Sequence, residues 1–418
     1  MRKVLFYSLL LIVGLVGSQM LTGAPPALAR GIGVATMFAL AFIMIHVGYE
    51  FEIDRSRARH YAWDYFVAAT AATLPWLFCT LYFVFAMSPR ATWGTIDNWR
   101  GSLLEGLFAA PTSAGVLFSM LAAAGLGATW LFRKARVLAI FDDLHTILLL
   151  IPLKMIIIGP KWQLVAVGLI IVALLWISWH HLNSASLPVT WPWVMLYAAG
   201  IVALSELIHA VSLWFDPAVP VHLEVLLPAF ALGCVMKPPP GEDPHVDDAR
   251  EGVEEGPEQP QEQAVSTIVS AVFMVLVGLS MPPIGGVAAT GGLGWGVIAL
   301  HVVIVTILSN LGKMLPALCY RREATFRERL ALAIGMWPRG EVGAGVLVIA
   351  LSYGIAGASL TVAVLSLALN LLLTGAFIVI VRKLIAPVVA AQAAEFAAAH
   401  DAAAQRSPRA EFPIESTP

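Results

Sequence analysis

Charged side chains are scarce in this sequence. Asp, Glu, Lys and Arg make up 12% of its 418 residues, against 59% hydrophobic residues. A soluble domain carries about 25% charged residues, so this chain cannot cover a water-facing surface, and a soluble globular fold is excluded. Cysteine is nearly absent. The three present, Cys79, Cys234 and Cys319, fall inside or at the end of apolar blocks, which excludes a disulfide or cysteine–metal framework. There is no excess of positive charge either: the net charge is −2, which points to no nucleic-acid partner.

What the chain does have is apolar sequence in blocks of about 20 residues, the length that carries a helix across a hydrocarbon core. Its mean hydropathy is +0.81. The pattern predicts an all-α polytopic membrane protein of about twelve transmembrane helices. They lie near 3–22, 31–50, 62–87, 103–129, 135–158, 162–181, 190–213, 221–237, 264–283, 293–320, 329–353 and 357–385. The first competes with a cleaved signal over residues 1–29, because Met1-Arg2-Lys3 is a basic start and Ala27-Leu28-Ala29 resembles a cleavage site. Its apolar core is long for a signal, so a retained helix is expected.

Lys and Arg set the orientation. Arg55, Arg57, Arg59, Arg133, Lys134, Arg136, Lys237, Arg250, Arg321, Arg322, Arg327, Arg329, Arg382 and Lys383 fall on one side of the alternating connections. Only Arg30, Arg90, Arg100 and Lys161 fall on the other. Cytoplasmic loops carry the basic excess, so both termini are expected in the cytoplasm. Residues 238–263 are Pro-rich and acidic, the composition of a disordered linker. The tail after about 386 is Ala-rich and then Pro- and Ser-containing, too short for a folded regulatory domain.

Against this background the stretch RVLAIFDDLHTILLL, residues 136–150, stands out. Asp142 and Asp143 lie side by side where one intramembrane charge costs about 2.5–3.5 kcal/mol. At 1.5 Å of rise per residue, Asp143 lies roughly 12 Å deep in the fifth span, and Lys313 roughly 11 Å deep in the tenth. By the same count Pro338, Arg339 and Glu341 lie roughly 13–18 Å into the eleventh, and Pro111, Thr112 and Ser113 roughly 12–15 Å into the fourth. Four spans far apart in sequence thus place polar groups or helix breakers at similar depth.

Adjacent helical residues point about 100° apart, so one aspartate can face Lys313 while the other faces a cavity. Two carboxylates in a low-dielectric region resist ionising together, and an ammonium favours the ionised form of its partner. One acid is thereby held charged and the other is poised to trade a proton. Pro111 and Pro338 free backbone carbonyls, and broken helices at the midplane are where secondary transporters build their sites. Plainer roles stand beside these. Arg339 and Glu341 can form a structural ion pair, and Thr112 and Ser113 can be packing residues. Glu206 and His209 are spaced to bond each other or a neighbour. Glu105, Glu224, Lys154 and His301 lie near span ends and read as snorkelling groups. His145 is either a pH sensor or a satisfied packing residue.

Five stretches, covering about 44 to 385, resemble the monovalent cation:proton antiporter superfamily (the sodium/proton exchanger family), and most closely its electrogenic bacterial members with paired aspartates. HVGYEFEID, from His46 to Asp54, is similar to the family's Val-Gly-Leu-Glu helix end. PTSAGVLFSMLAAAGL, from Pro111 to Leu126, resembles its unwound fourth helix, and IFDDL, from Ile140 to Leu144, its aspartate pair. GMWPRGEVG, from Gly335 to Gly343, resembles its Pro-Arg-Gly-Glu-Val-Gly signature, and LGKMLPAL puts Lys313 at the family's lysine.

The resemblance implies an inverted-repeat fold with broken, crossing helices, and a division of the chain. Residues 1–61 would be N-terminal scaffold, 62–158 and 293–385 the two halves of a core transport domain, and 159–237 and 264–292 scaffold and dimerisation helices. It further implies that Asp143 binds the proton or the transported sodium, that Asp142 pairs with Lys313, and that Thr112 and Ser113 lie at the ion. Arg339, Glu341, Pro111 and Pro338 would support the core. No enzyme activity and no cofactor are implied. The partners implied are protons, a monovalent cation, the lipid bilayer and a second copy in a homodimer; the location is a bacterial inner membrane. Two rivals remain: a sodium-coupled symporter of an organic anion, and an intramembrane aspartyl protease. The protease needs acids on two facing helices, whereas Asp142 and Asp143 share one.

Overall fold

The computed structural model describes residues 2–21, 25–49, 58–127, 129–159, 162–181, 184–215, 225–236, 260–281 and 293–406. Among these, regular structure is helical apart from an isolated bridge between Ala185 and Met236. The helices are α1 (Arg2–Met20), α2 (Pro26–Tyr49), α3 (Ala58–Tyr82, continued by the π-turn Phe83–Met87), α4 (Ile96–Gly106), α5 (Ala114–Ala123), α6 (Trp130–Ile158) and α7 (Trp162–His180). Then follow α8 (Trp191–Phe215), α9 (Leu226–Val235), α10 (Pro260–Leu279), α11 (Trp295–Gly312), α12 (Phe326–Gly335), α13 (Glu341–Ser352) and α14 (Ala358–Arg406).

Eight helical stretches among the described residues are long and apolar enough to cross a membrane: Arg2–Met20, Ala27–Tyr49, Arg59–Met87, Ile96–Ala123, Trp191–Trp214, Gln261–Leu279, Trp295–Ala317 and Ala358–Ala391. Shorter apolar segments lie in α7, α9 and α13. The 29 residues of α6 reach about 43 Å at 1.5 Å each. Outward-facing apolar side chains such as Leu169, Trp176, Leu204, Leu207 and Trp214 are more than half exposed. In water so much apolar surface would drive association; in a bilayer it is the solvated surface. The polytopic all-α reading holds.

Two of the expected spans are not continuous helices. The fourth is α4 and α5 with a break at Ala110–Ser113, and the eleventh is α12 and α13 with a break at Met336–Gly340. Each broken element lies between two long ones, α3 and α6 in the first case and α11 and α14 in the second. Helix α3 packs on α6 as α11 packs on α14, and α3 also packs on α11. The last two run antiparallel: Asp64 in the first turns of α3 meets Tyr320 beyond the end of α11, and Tyr82 at the end of α3 meets His301 early in α11. This is the arrangement an inverted repeat produces.

Outside this region α1 packs on α10 and α2 on α9. Both contacts are glycine crossings. A Cβ on Gly14 would strike the Val275 carbonyl and Gly278, and one on Gly48 would strike the Phe230 carbonyl and Gly233. Small residues let helix backbones meet where lipid offers no hydrophobic drive for association. Gly233→Ala is therefore expected to force α2 and α9 apart and to destabilise by about 1–3 kcal/mol. Gly200→Ala on α8, where a Cβ would meet nothing within 4 Å, is the control. Thermal melts in detergent check this, and equal midpoints for the two variants would refute it.

Two details depart from expectation. Glu105 does not snorkel; it is 3% exposed and hydrogen-bonded to Ser359, because α4 begins at Ile96 and carries it inward. Glu206 bonds Arg30, a neighbour on α2, at 2.8 Å, one of the readings open from its sequence. The chain beyond 386 continues α14 to Arg406, as its alanine content favours. Residues 238–259, Glu224 and Lys161 lie outside the described residues, as does the Glu341 side chain.

Candidate ion site at the helix crossing

The two breaks follow from the prolines. Pro111 has no N–H for the carbonyl one turn back, and neither has Pro338. Each helix tightens to a last three-residue turn, with Ala110 N–H donating to Leu107 O at 3.1 Å and Trp337 N–H to Ile334 O at 3.1 Å. The backbone groups beyond then need partners from elsewhere, since an unpaired buried group costs about 1–3 kcal/mol.

They find them across the crossing. Ser113 N–H, which in a continuous helix would serve Ala109 O, donates instead to Pro338 O at 2.9 Å. Thr112 N–H donates to Asp142 Oδ2 at 2.7 Å. Thr112 Oγ1 donates to Met336 O at 2.9 Å, the carbonyl that ends α12. Arg339 N–H donates to Asn370 Oδ1 on α14 at 3.1 Å. The carbonyls freed at the ends of α4 and α12 are met by cations. Lys313 Nζ donates to Ala110 O, and Arg339 donates through Nε to Ala109 O at 3.0 Å and through Nη1 to Trp337 O at 3.0 Å. Helix C-termini carry partial negative charge and N-termini partial positive charge. Lys313 and Arg339 thus sit at C-terminal ends, and the Asp142 carboxylate faces the chain just ahead of α5.

The acid–base pair of the sequence reading is present. Lys313 Nζ lies 2.8 Å from Asp142 Oδ1 and 2.7 Å from Oδ2, both side chains fully buried. Lys313 caps the end of α11, and the residue before it, Gly312, rests on α3, where a Cβ would come within 2.5 Å of the Pro75 nitrogen. Asp142 therefore accepts from Lys313 on both oxygens and from Thr112 on one. Asp143, next along α6, is 1% exposed.

The structure brings together Pro111, Thr112, Ser113, Asp142, Lys313, Pro338 and Arg339 and puts Asp143 beside them. The Arg339–Glu341 pair weighed from sequence falls on a side chain outside the described residues. The guanidinium is held by carbonyls, with Nη2 on Ser309 O at 2.8 Å, and by Asn310 Oδ1, 2.7 Å from Nη1. Asn310 and Asn370 were not anticipated. Asn370 Nδ2 donates to Asn310 Oδ1 at 3.0 Å, so the two amides join α11, α14 and the second break. Their signal was available, as polar amides in the middle of apolar runs. His145 now has a place: its Nε2 lies 3.0 Å from Thr73 Oγ1 and its Nδ1 3.2 Å from the Tyr65 hydroxyl, both on α3.

A bundle of membrane-length helices around two broken elements, joined backbone to backbone and holding a buried carboxylate–ammonium pair, defines an ion-coupled secondary transporter. The sodium/hydrogen exchanger (transmembrane) family matches residues 6–384. The chain belongs to that family, and so is a cation:proton antiporter of the membrane, a transporter rather than an enzyme. Comparison with curated proteins gives no match. The family does not favour the organic-anion symporter.

Proposed function

We propose that this antiporter exchanges protons for sodium by alternating access, with Asp143 the carboxylate that takes cation and proton in turn. Asp142 and Lys313 are the fixed pair beside it. Thr112 and Ser113 offer oxygens to the cation, and Arg339, Glu341, Pro111 and Pro338 keep the crossing in shape. The observation that carries this reading is the full engagement of Asp142. Its oxygens take two contacts from Lys313 and one from Thr112 N–H, so a cation arriving at Asp142 would have to displace a buried ammonium. Asp143 shares its depth without sharing those three contacts. The hard oxygen donors of Asp143, Thr112 and Ser113 suit an alkali cation.

The division into a moving core, 62–158 with 293–385, and a dimerising scaffold belongs to the same proposal. So do the homodimer, the bacterial inner membrane and the cytoplasmic termini.

Asp143→Asn keeps the shape of the side chain and removes its charge. In proteoliposomes carrying an imposed pH gradient, sodium addition is expected to dissipate the gradient with the wild-type protein and to leave it standing with Asp143→Asn. Lithium and potassium are run beside sodium to test the cation. Wild-type rates in the variant would overturn the assignment of Asp143, and a wild-type response to potassium alone would overturn sodium.

A further inference from the structure

A second polar cluster stands apart from the crossing, at the end of the molecule where the basic connections gather. Asp64 in α3 is 3% exposed. The Tyr320 hydroxyl donates to its Oδ1 at 2.7 Å, and Lys134 Nζ lies 3.2 Å from Oδ1 and 3.3 Å from Oδ2. Lys134 also reaches Glu323 Oε2 at 3.0 Å and sits 4.5 Å from the Tyr320 ring centroid, while Trp130 meets that ring edge-on. Tyr320 has φ +57°, alone among the described non-glycine residues in being positive, a conformation rare for a bulky side chain. The turn that holds it is tied from behind, by Arg329 Nη1 on Ala317 O at 3.0 Å and on Cys319 O at 3.3 Å. A strained residue persists only where its surroundings over-determine it, and here a buried phenol between a carboxylate and an ammonium does so.

The chain segments joined at this cluster are those that meet at the ion site. Lys134 and Asp142 both belong to α6, eight residues or about 12 Å apart at 1.5 Å per residue. Lys313 ends α11, and Tyr320 follows it past the short turn Leu315–Ala317. Two ties thus connect the same two stretches, Asp142–Lys313 at the crossing and Lys134–Asp64–Tyr320 at the end, and α3 joins in both, through Pro75 and through Asp64. A side chain as long as lysine tolerates small shifts of its own backbone, so neither Lys313 nor Lys134 alone fixes the register of α6 against the end of α11. Two ties about 12 Å apart along α6, the outer one anchored by the short Tyr320–Asp64 bond, do so together.

We propose that Asp64, Lys134 and Tyr320 are positioning residues for exchange, holding α6 and the α11–α12 connection in the register at which Lys313 and Thr112 engage Asp142. This rests on the reading of the Asp142–Asp143 region as the ion site. Loosening the outer tie lets the groups around Asp142 spread, and the cation must then re-order them on binding; its apparent affinity falls before the maximal rate does.

The test is Tyr320→Phe, which keeps the ring against Lys134 and Trp130 and removes only the hydroxyl. In proteoliposomes the KM for sodium is expected to rise about threefold to tenfold, the range of one ordinary lost hydrogen bond, with maximal rate and thermal midpoint little changed. Lys134→Met should raise KM in the same way, and Lys134→Arg, which can still reach both carboxylates, should return it toward the wild-type value. A Tyr320→Phe protein with unchanged KM would overturn the proposal. So would a lowered melting temperature with KM unchanged, since the cluster would then serve stability alone. Asp143→Asn separates the two levels: if it exchanges normally the ion-site reading fails, whereas an inactive Asp143→Asn beside an unaltered Tyr320→Phe removes only the positioning role.

Discussion

Lys313→Met is expected to destabilise the folded protein by about 3–5 kcal/mol, and adding Asp142→Asn to it to restore much of that loss. The ammonium and the carboxylate are fully buried and 2.7 Å apart, so neither can turn to water when the other is removed. A lone carboxylate in that position keeps the hydrogen bond from Thr112 N–H and loses its counter-charge. Neutralising it with Asn removes the uncompensated charge and keeps an oxygen that accepts from Thr112. Melting of the three proteins in the same detergent, followed by tryptophan fluorescence, measures the difference. If the double variant melts no higher than Lys313→Met, the damage comes from lost packing and not from the orphaned charge. The experiment also separates stability from transport, because a refolded but inactive double variant shows that the pair is needed for exchange even where the fold can do without it.

Much of this was legible in the sequence because membranes narrow the choices. Without water to satisfy the backbone, a spanning chain of this composition must be helical, and a charge in mid-span is a rare event that stands out against apolar neighbours. Asp142, Asp143, Lys313 and Arg339 were found that way, and the prolines marked both breaks. What stayed hidden was partnership. Arg339 reads from sequence as the mate of Glu341, whose side chain lies outside the described residues; its described acceptors include carbonyls at Ala109, Ser309 and Trp337, and no pattern in a linear chain announces a carbonyl acceptor. Lys134 was counted only as one more cytoplasmic cation, since its partners Asp64 and Tyr320 lie 70 and 186 positions away. Glu105 reads as near a surface because the apolar run begins at 103, seven residues after the helix begins at Ile96. His145 had two readings from sequence. Its two ring nitrogens meet hydroxyls of α3, partners 80 and 72 positions away that no local pattern announces.

Arg339→Met is the other substitution with a large expected effect, again about 3–5 kcal/mol, and for a different reason. The described partners of Arg339 are oxygens without formal charge. The guanidinium joins three pieces of chain around the crossing: Ala109 at the end of α4, Ser309 and Asn310 in α11, and Trp337 in the second break. A planar fork with five donors can serve acceptors in several directions at fixed angles, and its removal strands them at about 1–3 kcal/mol each, less the desolvation of the charge itself. Lysine is the informative comparison. Its single ammonium keeps the charge and offers three donors from one point, so Arg339→Lys is expected to melt between wild type and Arg339→Met. Asn310→Ala, which removes the oxygen that takes both Arg339 Nη1 and Asn370 Nδ2, should fall beside Arg339→Lys. Should Arg339→Lys melt like the wild-type protein, charge alone would suffice at the crossing and the fork geometry would not be what holds the broken helices together.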